Sequence, residues 1–300
     1  MAATALGLPG CQQASDSAKP IGELEAVWGR RGISPGRLQK PRAMAIDRGD
    51  DIYIVDMTAR IQVFRPDGTY LRGWQTPVHE NGRPTGLSID KHGNLLVADT
   101  HYFRVLTYSP DGKLLDTFGG DYGHGPGQFG LVTDVIEDSK NNIYISEYGE
   151  FDRIQKFSPD HQFIMEWGGH GPAPGQFIRP QNMEIDAQDH IWVADACNHR
   201  IQVFDTEGKL LNCWGITGTE PGQLYYPYDL TLDGQGHLYV CEFGNHRVQK
   251  FTLDGQSLGC WGMHGREPGQ MHNPWALVLD THQRLFVLDT NNHRIQQVRL

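Results

Sequence analysis

Short apolar runs alternate with turn residues along almost the whole chain. Within residues 175–215, for example, apolar runs at 183–186, 191–195 and 200–204 precede a fourth run that ends at Trp214. Apolar side chains at every second position, bounded by turn residues, are typical of β-strands. Asp-Gly or Glu-Gly pairs precede most of the fourth runs, and such pairs favour tight hairpins. The pattern therefore predicts units of four antiparallel strands.

This unit recurs six times. The segment NHRIQVF at 198–204 returns as NHRVQKF at 245–251 and as NHRIQ at 292–296, and more divergent copies precede them. The arginines of successive copies are 44, 49, 47, 47 and 47 residues apart; they are Arg60, Arg104, Arg153, Arg200, Arg247 and Arg294. Four-stranded units at such a period are the blades of a propeller. We therefore predict an all-β fold, a six-bladed β-propeller.

The ends of the chain predict how the ring closes. An aromatic residue ends the fourth strand of five units, at Trp74, Phe118, Trp167, Trp214 and Trp261. A sixth would fall beyond Leu300, but residues 22–29 carry the same pattern, and Trp28 lies 46 residues before Trp74. The N-terminal strand should therefore complete the last blade and remove an exposed sheet edge. This makes residues 21–300 one domain, preceded by a leader at 1–20.

The repeats resemble those of the NHL-repeat propellers, to which the six-bladed peptidyl-α-hydroxyglycine amidating lyases are related. The resemblance would imply a catalytic zinc site. In those lyases the zinc is held by histidines that directly follow the proline at the start of an innermost strand. The matching positions here are Arg42, Thr85, Thr133, Gln181, Tyr228 and Trp275. None is histidine, so the zinc site and the lyase activity are not carried over. The resemblance predicts the fold, whereas function depends on the site.

Those six positions nevertheless face the mouth of the predicted central channel, and Arg and aromatic side chains favour binding. The next position carries Asp134, Asn182 and Asp229 on three consecutive blades, and Glu184 shares the face of Asn182. Glu137 interrupts an otherwise apolar series further along the innermost strands. Such oxygens could hold Ca²⁺ or another divalent ion, or orient a polar ligand. Alternatively, they tie down the backbone of nearby loops.

A second set of charged residues recurs in every blade and favours a structural role. An acidic residue ends each second strand shortly before the repeat arginine; these residues are Asp56, Asp99, Glu147, Asp195, Glu242 and Asp289. One copy per blade predicts six ion pairs and not a catalytic cluster. His199, His246 and His293 also recur, directly before the arginine, so we expect them to pack in loops and not to form a zinc site.

Charge and the N-terminus bear on partners and location. The chain has 26 basic and 36 acidic residues, a net charge of −10 that makes nucleic acid an unlikely partner. Residues 1–20 include Leu-Pro-Gly before Cys11, which resembles a lipoprotein signal, although a disordered leader would also fit. The first reading predicts an extracytoplasmic protein anchored to the membrane only through a lipid on Cys11. The second leaves the protein in the cytoplasm.

The remaining cysteines do not predict a metal or redox site. Cys197, Cys213, Cys241 and Cys260 lack CxxC spacing. Cys213 and Cys260 occupy equivalent positions of successive units, which should be too far apart for a disulfide.

Three functions follow as hypotheses. The first is a monomeric, non-catalytic recognition scaffold that binds a protein, peptide or glycan on its loop-rich face. The second is a metal-assisted lyase or lactonase-type hydrolase with its site at the channel mouth. The third, RNA binding, is what the resemblance implies for some NHL propellers, and the net charge weighs against it.

Overall fold

The computed structural model describes residues 21–300, so Cys11 lies outside the described residues. It contains six sheets of four antiparallel strands, which confirms the predicted six-bladed propeller. Blades 1 to 3 comprise, in order, Pro41–Ile46, Ile52–Asp56, Arg60–Phe64 and Tyr70–Gln75; Gly86–Ile89, Leu95–Asp99, Arg104–Tyr108 and Leu114–Gly119; Leu131–Glu137, Ile143–Tyr148, Arg153–Phe157 and Phe163–Gly168. Blades 4 to 6 comprise Pro180–Ile185, Ile191–Asp195, Arg200–Phe204 and Leu210–Trp214; Pro227–Leu232, His237–Glu242, Arg247–Thr252 and Ser257–Trp261; Leu277–Leu279, Leu285–Asp289, Arg294–Arg299 and Glu23–Trp28.

The first strand of each blade lies at the centre of the ring. These six strands contact one another from blade to blade and surround a central channel. Because the strands alternate in direction, each blade begins its first strand and ends its fourth on the same side. We call this side, which carries the loops between blades, the upper face. The opposite side, which carries the hairpins between first and second strands, is the lower face.

The last blade is closed by the N-terminal strand, as predicted. Glu23–Trp28 pairs antiparallel with Arg294–Arg299, from Glu23 opposite Arg299 to Trp28 opposite Ile295. The Glu25 carboxylate accepts hydrogen bonds from Gln297 Nε2 (2.7 Å) and Arg299 Nε (2.8 Å). Strand pairing and side-chain contacts therefore join the two ends of the described chain.

The apolar core is divided among the gaps between blades. One cluster combines Tyr144 and Ile154 of blade 3 with Val193 and Phe204 of blade 4, and every one of these side chains is buried. Neighbouring blades thus bury each other's faces, so that no blade has a core of its own. Within residues 21–300, Cys197, Cys213, Cys241 and Cys260 are free, and no helix is long and apolar enough to cross a membrane.

The first strand of blade 4 differs in one respect from its prediction. It begins at Pro180 and not at residue 183, because Pro180 already pairs with Asp195. The pairing then skips Gln181 and resumes with Asn182 opposite Ala194, which makes a β-bulge. The same irregularity leaves out Arg42, Thr133 and Tyr228 in blades 1, 3 and 5. Bulges redirect side chains, and this one determines what faces the channel.

Candidate functional site

The recurring acidic residues and arginines form an ion pair in every blade. The N–O distances lie between 2.6 and 2.8 Å, and the acidic side chains are at most 1% exposed. In blade 4, Asp195 Oδ2 accepts from Arg200 Nε (2.8 Å), while Oδ1 accepts from the backbone N–H of Ile178 (2.9 Å). Arg200 also donates to three carbonyl oxygens of the loop before the blade, including that of Gln176 (2.7 Å). The pair therefore fixes the loops of the upper face.

The recurring histidines hold neighbouring blades together. His199 Nδ1 accepts the backbone N–H of Tyr226 at 3.0 Å, and His246 Nδ1 accepts that of Asn273 at the same distance. His293 makes the equivalent contact in the next gap of the ring. These interactions use one ring nitrogen of each histidine. Among residues 21–300, no group of three or more His, Cys, Asp or Glu side chains is arranged to hold a metal ion.

The upper mouth of the channel is nearly filled by protein side chains. A void of only about 10 Å³ remains there, lined in part by Arg42, Gln181 and Trp275. The Arg42 guanidinium lies 5.2 Å from the centre of the Trp275 ring, and Tyr228 stacks on Phe243 with their ring centres 4.5 Å apart. These contacts occupy the channel mouth, where the sequence predicts a ligand-binding set.

The two threonines of this set are also engaged within the protein. Thr133 is fully buried and its hydroxyl donates to the Pro180 carbonyl at 2.6 Å. The hydroxyls of Thr85 and Thr100 lie 2.7 Å apart. The six positions predicted to bind a ligand at the channel mouth therefore form a plug, and the bulge that displaces four of them contributes to it.

Below the plug the channel widens into a cavity of about 470 Å³. The cavity reaches the ends of the innermost strands, where Arg48 and Lys91 line it, and so lies towards the lower face. Aliphatic side chains such as Ile46, Ile89 and Leu277 form much of its wall. We call this space the lower cavity. Sequence reasoning missed it, because the pattern of an innermost strand does not show which end of the channel is filled.

The predicted oxygen-bearing residues Asp134, Asn182, Glu184 and Asp229 all line the lower cavity, but they are not equivalent. Asp229 uses both oxygens for the backbone, since it accepts the N–H groups of Leu230 (2.8 Å) and Leu277 (2.9 Å). Asp134 Oδ2 likewise accepts the N–H of Met183 at 2.8 Å. The alternative role, in which these residues tie down the backbone, therefore accounts for both oxygens of Asp229 and for one oxygen of Asp134.

Several acceptors around the lower cavity have no hydrogen-bond partner within residues 21–300. They are Asp134 Oδ1, Asn182 Oδ1 and Glu137 Oε2. Glu184 has one long contact, in which the Thr231 hydroxyl lies 3.5 Å from Oε2. Unpaired buried acceptors of this kind are costly unless a ligand or a proton satisfies them. Glu137 could be identified from the sequence as a candidate, because it interrupts an otherwise apolar series of positions along the innermost strands.

The environment favours the protonated form of these carboxyl groups. Burial raises the pKa of Asp134 to about 8, and the nearby Glu184 charge adds to the shift. Burial also raises the pKa of Glu184 to about 7. The pKa of Asp229 is raised well above its usual value, mainly by burial and also by Asp134 and Glu184. Asp134 and Glu184 therefore change protonation near neutral pH.

Sequence comparisons agree with this architecture. The family model "NHL repeat" matches residues 177–204, 224–251 and 271–298. Peptidylglycine alpha-amidating monooxygenase of Rattus norvegicus is 37% identical over 131 residues, which are 39% of this chain and 13% of that protein. NHL repeat-containing protein 3 of Mus musculus is 30% identical over 166 residues, which are 51% of this chain and 45% of that protein. The chain thus spans less than half the length of these relatives.

Solved structures with the same fold are more distant in sequence. A streptogramin B lyase structure has a TM-score of 0.66 at 12% identity, covering 92% of this chain and 97% of its own. A gluconolactonase from Xanthomonas campestris has a TM-score of 0.65 at 15% identity, covering 88% and 86%. Such identities show the fold alone. From its matched repeats and its six blades, we conclude that the chain is a six-bladed β-propeller that contains NHL repeats.

Proposed function

We propose that the protein is a recognition propeller that binds a protein or peptide on its upper face. The observation that carries this proposal is a set of exposed apolar side chains on the loops between blades. Ile33 is 73% exposed, Ile216 and Met263 are 63% exposed, and Tyr122 is 51% exposed. Large apolar side chains on several loops of one face favour macromolecular contact.

The filled upper mouth of the channel favours a macromolecular partner on this face. With the upper mouth filled, this face offers a surface and not a deep pocket for a small substrate. The loops are also held in place from below by the repeat arginines, as Arg247 shows by donating to the carbonyls of Thr219 (2.6 Å) and Gln223 (3.0 Å). Loops fixed before binding lose less conformational entropy when a partner binds.

Local charge indicates which partners would be favoured. Residues 29–46 contain five basic residues and no acidic one, although the whole chain has a net charge of −10. Arg30, Arg31 and Lys40 of this segment are exposed. Lys40 lies against blade 6, since its backbone N–H donates to His293 Nδ1 at 2.9 Å. A basic sector beside apolar loops suits a peptide that combines apolar anchors with acidic residues.

A displayed peptide library selected on the intact protein tests this proposal. We expect enriched peptides with apolar and acidic residues, whose affinity falls about tenfold or more in Ile216→Asp, because an apolar anchor that is lost costs more than about 1 kcal/mol. Leu211→Asp is the matched control, since Leu211 is 45% exposed but lies on an outer strand. Peptides that bind both variants equally, or no enrichment at all, would contradict the proposal.

A further inference from the structure

We propose that the lower cavity is a binding site for a small organic cation that carries a primary ammonium group on an apolar body. The inference goes beyond recognition at the upper face, because the lower cavity lies on the other side of the plug. It rests on two independent features. One is a cavity of about 470 Å³ that opens towards the lower face, and the other is a set of buried acceptor atoms without a hydrogen-bond partner in the described chain.

The acceptors define the charged end of the ligand. Asp134 lines the cavity and is only 1% exposed, and its Oδ1 has no hydrogen-bond partner among residues 21–300. Asn182 Oδ1 is in the same condition on the next blade, and Glu184 follows it on the same strand. An ammonium group provides three N–H donors and one positive charge, which matches acceptors of this kind.

The same contacts favour an ammonium ion over a divalent metal ion. Calcium takes six to eight oxygen ligands, whereas Asp229 has already committed both of its oxygens to backbone amides. Asp134 has likewise committed one of its two. Too few carboxylate oxygens remain free to build a calcium shell, but a hydrogen-bond donor needs only single free acceptors.

The remainder of the cavity defines the body of the ligand. Its volume is within the range of about 300–1,000 Å³ that is usual for small-molecule sites. Ile46, Ile89 and Leu277 would bury an aliphatic or aromatic body there. At the lower end, Arg48 and Lys91 are exposed and positively charged. Two cations at this entrance would repel a polyamine and favour a ligand with a single ammonium group.

Two other acids that line the cavity, Asp90 and Asp138, are already satisfied. Asp90 accepts the backbone N–H of His92 (2.8 Å) and the side-chain amide of Asn94 (2.8 Å). Asp138 accepts from Asn142 Nδ2 at 2.7 Å and from the Tyr144 hydroxyl at 2.9 Å. One unpartnered acceptor, Glu137 Oε2, lies near the lower entrance, whereas Asp134 Oδ1 and Asn182 Oδ1 lie at the deep end of the cavity, where we place the ammonium group.

Calorimetric titration of the full chain at pH 8.5 with hexylammonium tests the site. We expect saturable binding of one equivalent, and binding at least about tenfold weaker for hexanol, which lacks the charge, and for hexyltrimethylammonium, which lacks N–H donors. Equal binding of hexanol would show a merely apolar pocket and overturn the proposal. Calcium chloride is titrated alone and in competition; tight calcium binding that excludes hexylammonium would also overturn it.

Two substitutions locate the binding. Asp134→Asn and Glu184→Gln should each weaken hexylammonium binding about tenfold or more, whereas Asp160→Asn, in an exposed turn of an outer hairpin, should leave it unchanged. Asparagine retains an acceptor for the Met183 N–H, so Asp134→Asn should fold, and its thermal unfolding is measured in parallel. Unchanged affinity in both folded cavity variants, or no binding to the wild type, would refute the site.

Discussion

In every blade but the second, the recurring acidic residue is the centre of a small hydrogen-bond network, whereas Asp99 of blade 2 accepts from Arg104 alone. Asp195 is fully buried and accepts from the side chains of Asn198 (2.8 Å), Arg200 (2.8 Å) and Gln202 (3.1 Å). Removing a single partner from such a network leaves buried charge and donors unsatisfied. The motif asparagine, arginine and glutamine recur together because all three serve the same carboxylate.

Asp195→Ala should therefore lower the free energy of unfolding by about 3–5 kcal/mol, since it strands the buried Arg200 charge. Chemical denaturation monitored by tryptophan fluorescence measures the loss. Glu220→Ala on an exposed inter-blade loop is the control, with an expected change within about 0.5 kcal/mol. A similar, small effect of both substitutions would mean that the network contributes little to stability.

What could be predicted at the residue scale depended on repetition. The acid–arginine pairs follow from their recurrence in every blade, and the polar set that includes Asp134 and Asn182 follows from the positions where the repeats differ. The fate of Arg42 and Tyr228 could not be predicted in this way. Both are skipped by a β-bulge at the start of an innermost strand, and a bulge leaves no mark in the apolar pattern.

At the scale of elements, outer aromatic residues and tight turns link one blade to the next. The Trp28 side chain lies against Gly68, a turn glycine of blade 1 with φ of 83°; a Cβ atom there would come within 2.7 Å of the indole. Trp74 meets Gly112 of blade 2 in the same way. Gly68 therefore serves both the positive φ of its hairpin and the approach of the neighbouring tryptophan. The Asp-Gly pairs in the sequence indicated the first role only.

The strand Glu23–Trp28 has an additional role, since it covers the edge of Arg294–Arg299. A chain that begins at residue 30 should lose this strand and the packing of Leu24 and Trp28 in two core clusters. We expect a lower melting temperature and association through the exposed edge, measured by calorimetry and light scattering. Val27→Ala, at a position 38% exposed in the same strand, should retain both properties. A monomeric truncated protein with unchanged melting temperature would contradict the closure argument.

At the scale of the whole molecule, two groups of residues make stability depend on pH in opposite directions. Burial lowers the pKa of His199, His246, His272 and His293, so the unfolded chain binds more protons as the pH falls below about 6.5. The contribution of these histidines to the free energy of unfolding is therefore present above that pH and is lost on acidification. Two neighbouring histidines lower the pKa of His246 further, since the centre of its ring lies 4.6 Å from that of His264 and 5.9 Å from that of His272.

The acids of the lower cavity act on the alkaline side. Asp134 keeps its proton up to about pH 8 in the folded protein, whereas its ordinary value is 3.8. The folded state therefore binds more protons between these values, and stability decreases as the pH rises through this window. The Glu184 charge enhances the effect by raising the pKa of Asp134 further, and the charges of Asp134 and Glu184 in turn raise the pKa of Asp229.

Asp134→Asn should remove this alkaline loss, because asparagine does not titrate and still accepts the Met183 N–H. One unit of pKa shift corresponds to about 1.4 kcal/mol, so at pH 9 the variant should exceed the wild type by at least about 1 kcal/mol more than it does at pH 5. Urea denaturation at pH 5, 7 and 9 measures the difference, with Asp160→Asn as the control that should parallel the wild type. Parallel curves for Asp134→Asn would show that this carboxyl group titrates normally.

A protein that the ionised acids of its lower cavity destabilise at high pH should gain stability when a cation binds in that cavity, since a ligand that binds only the native state shifts the unfolding equilibrium. Hexylammonium should accordingly raise the melting temperature of the wild type at pH 9 and, at the same concentration, raise that of Asp134→Asn much less.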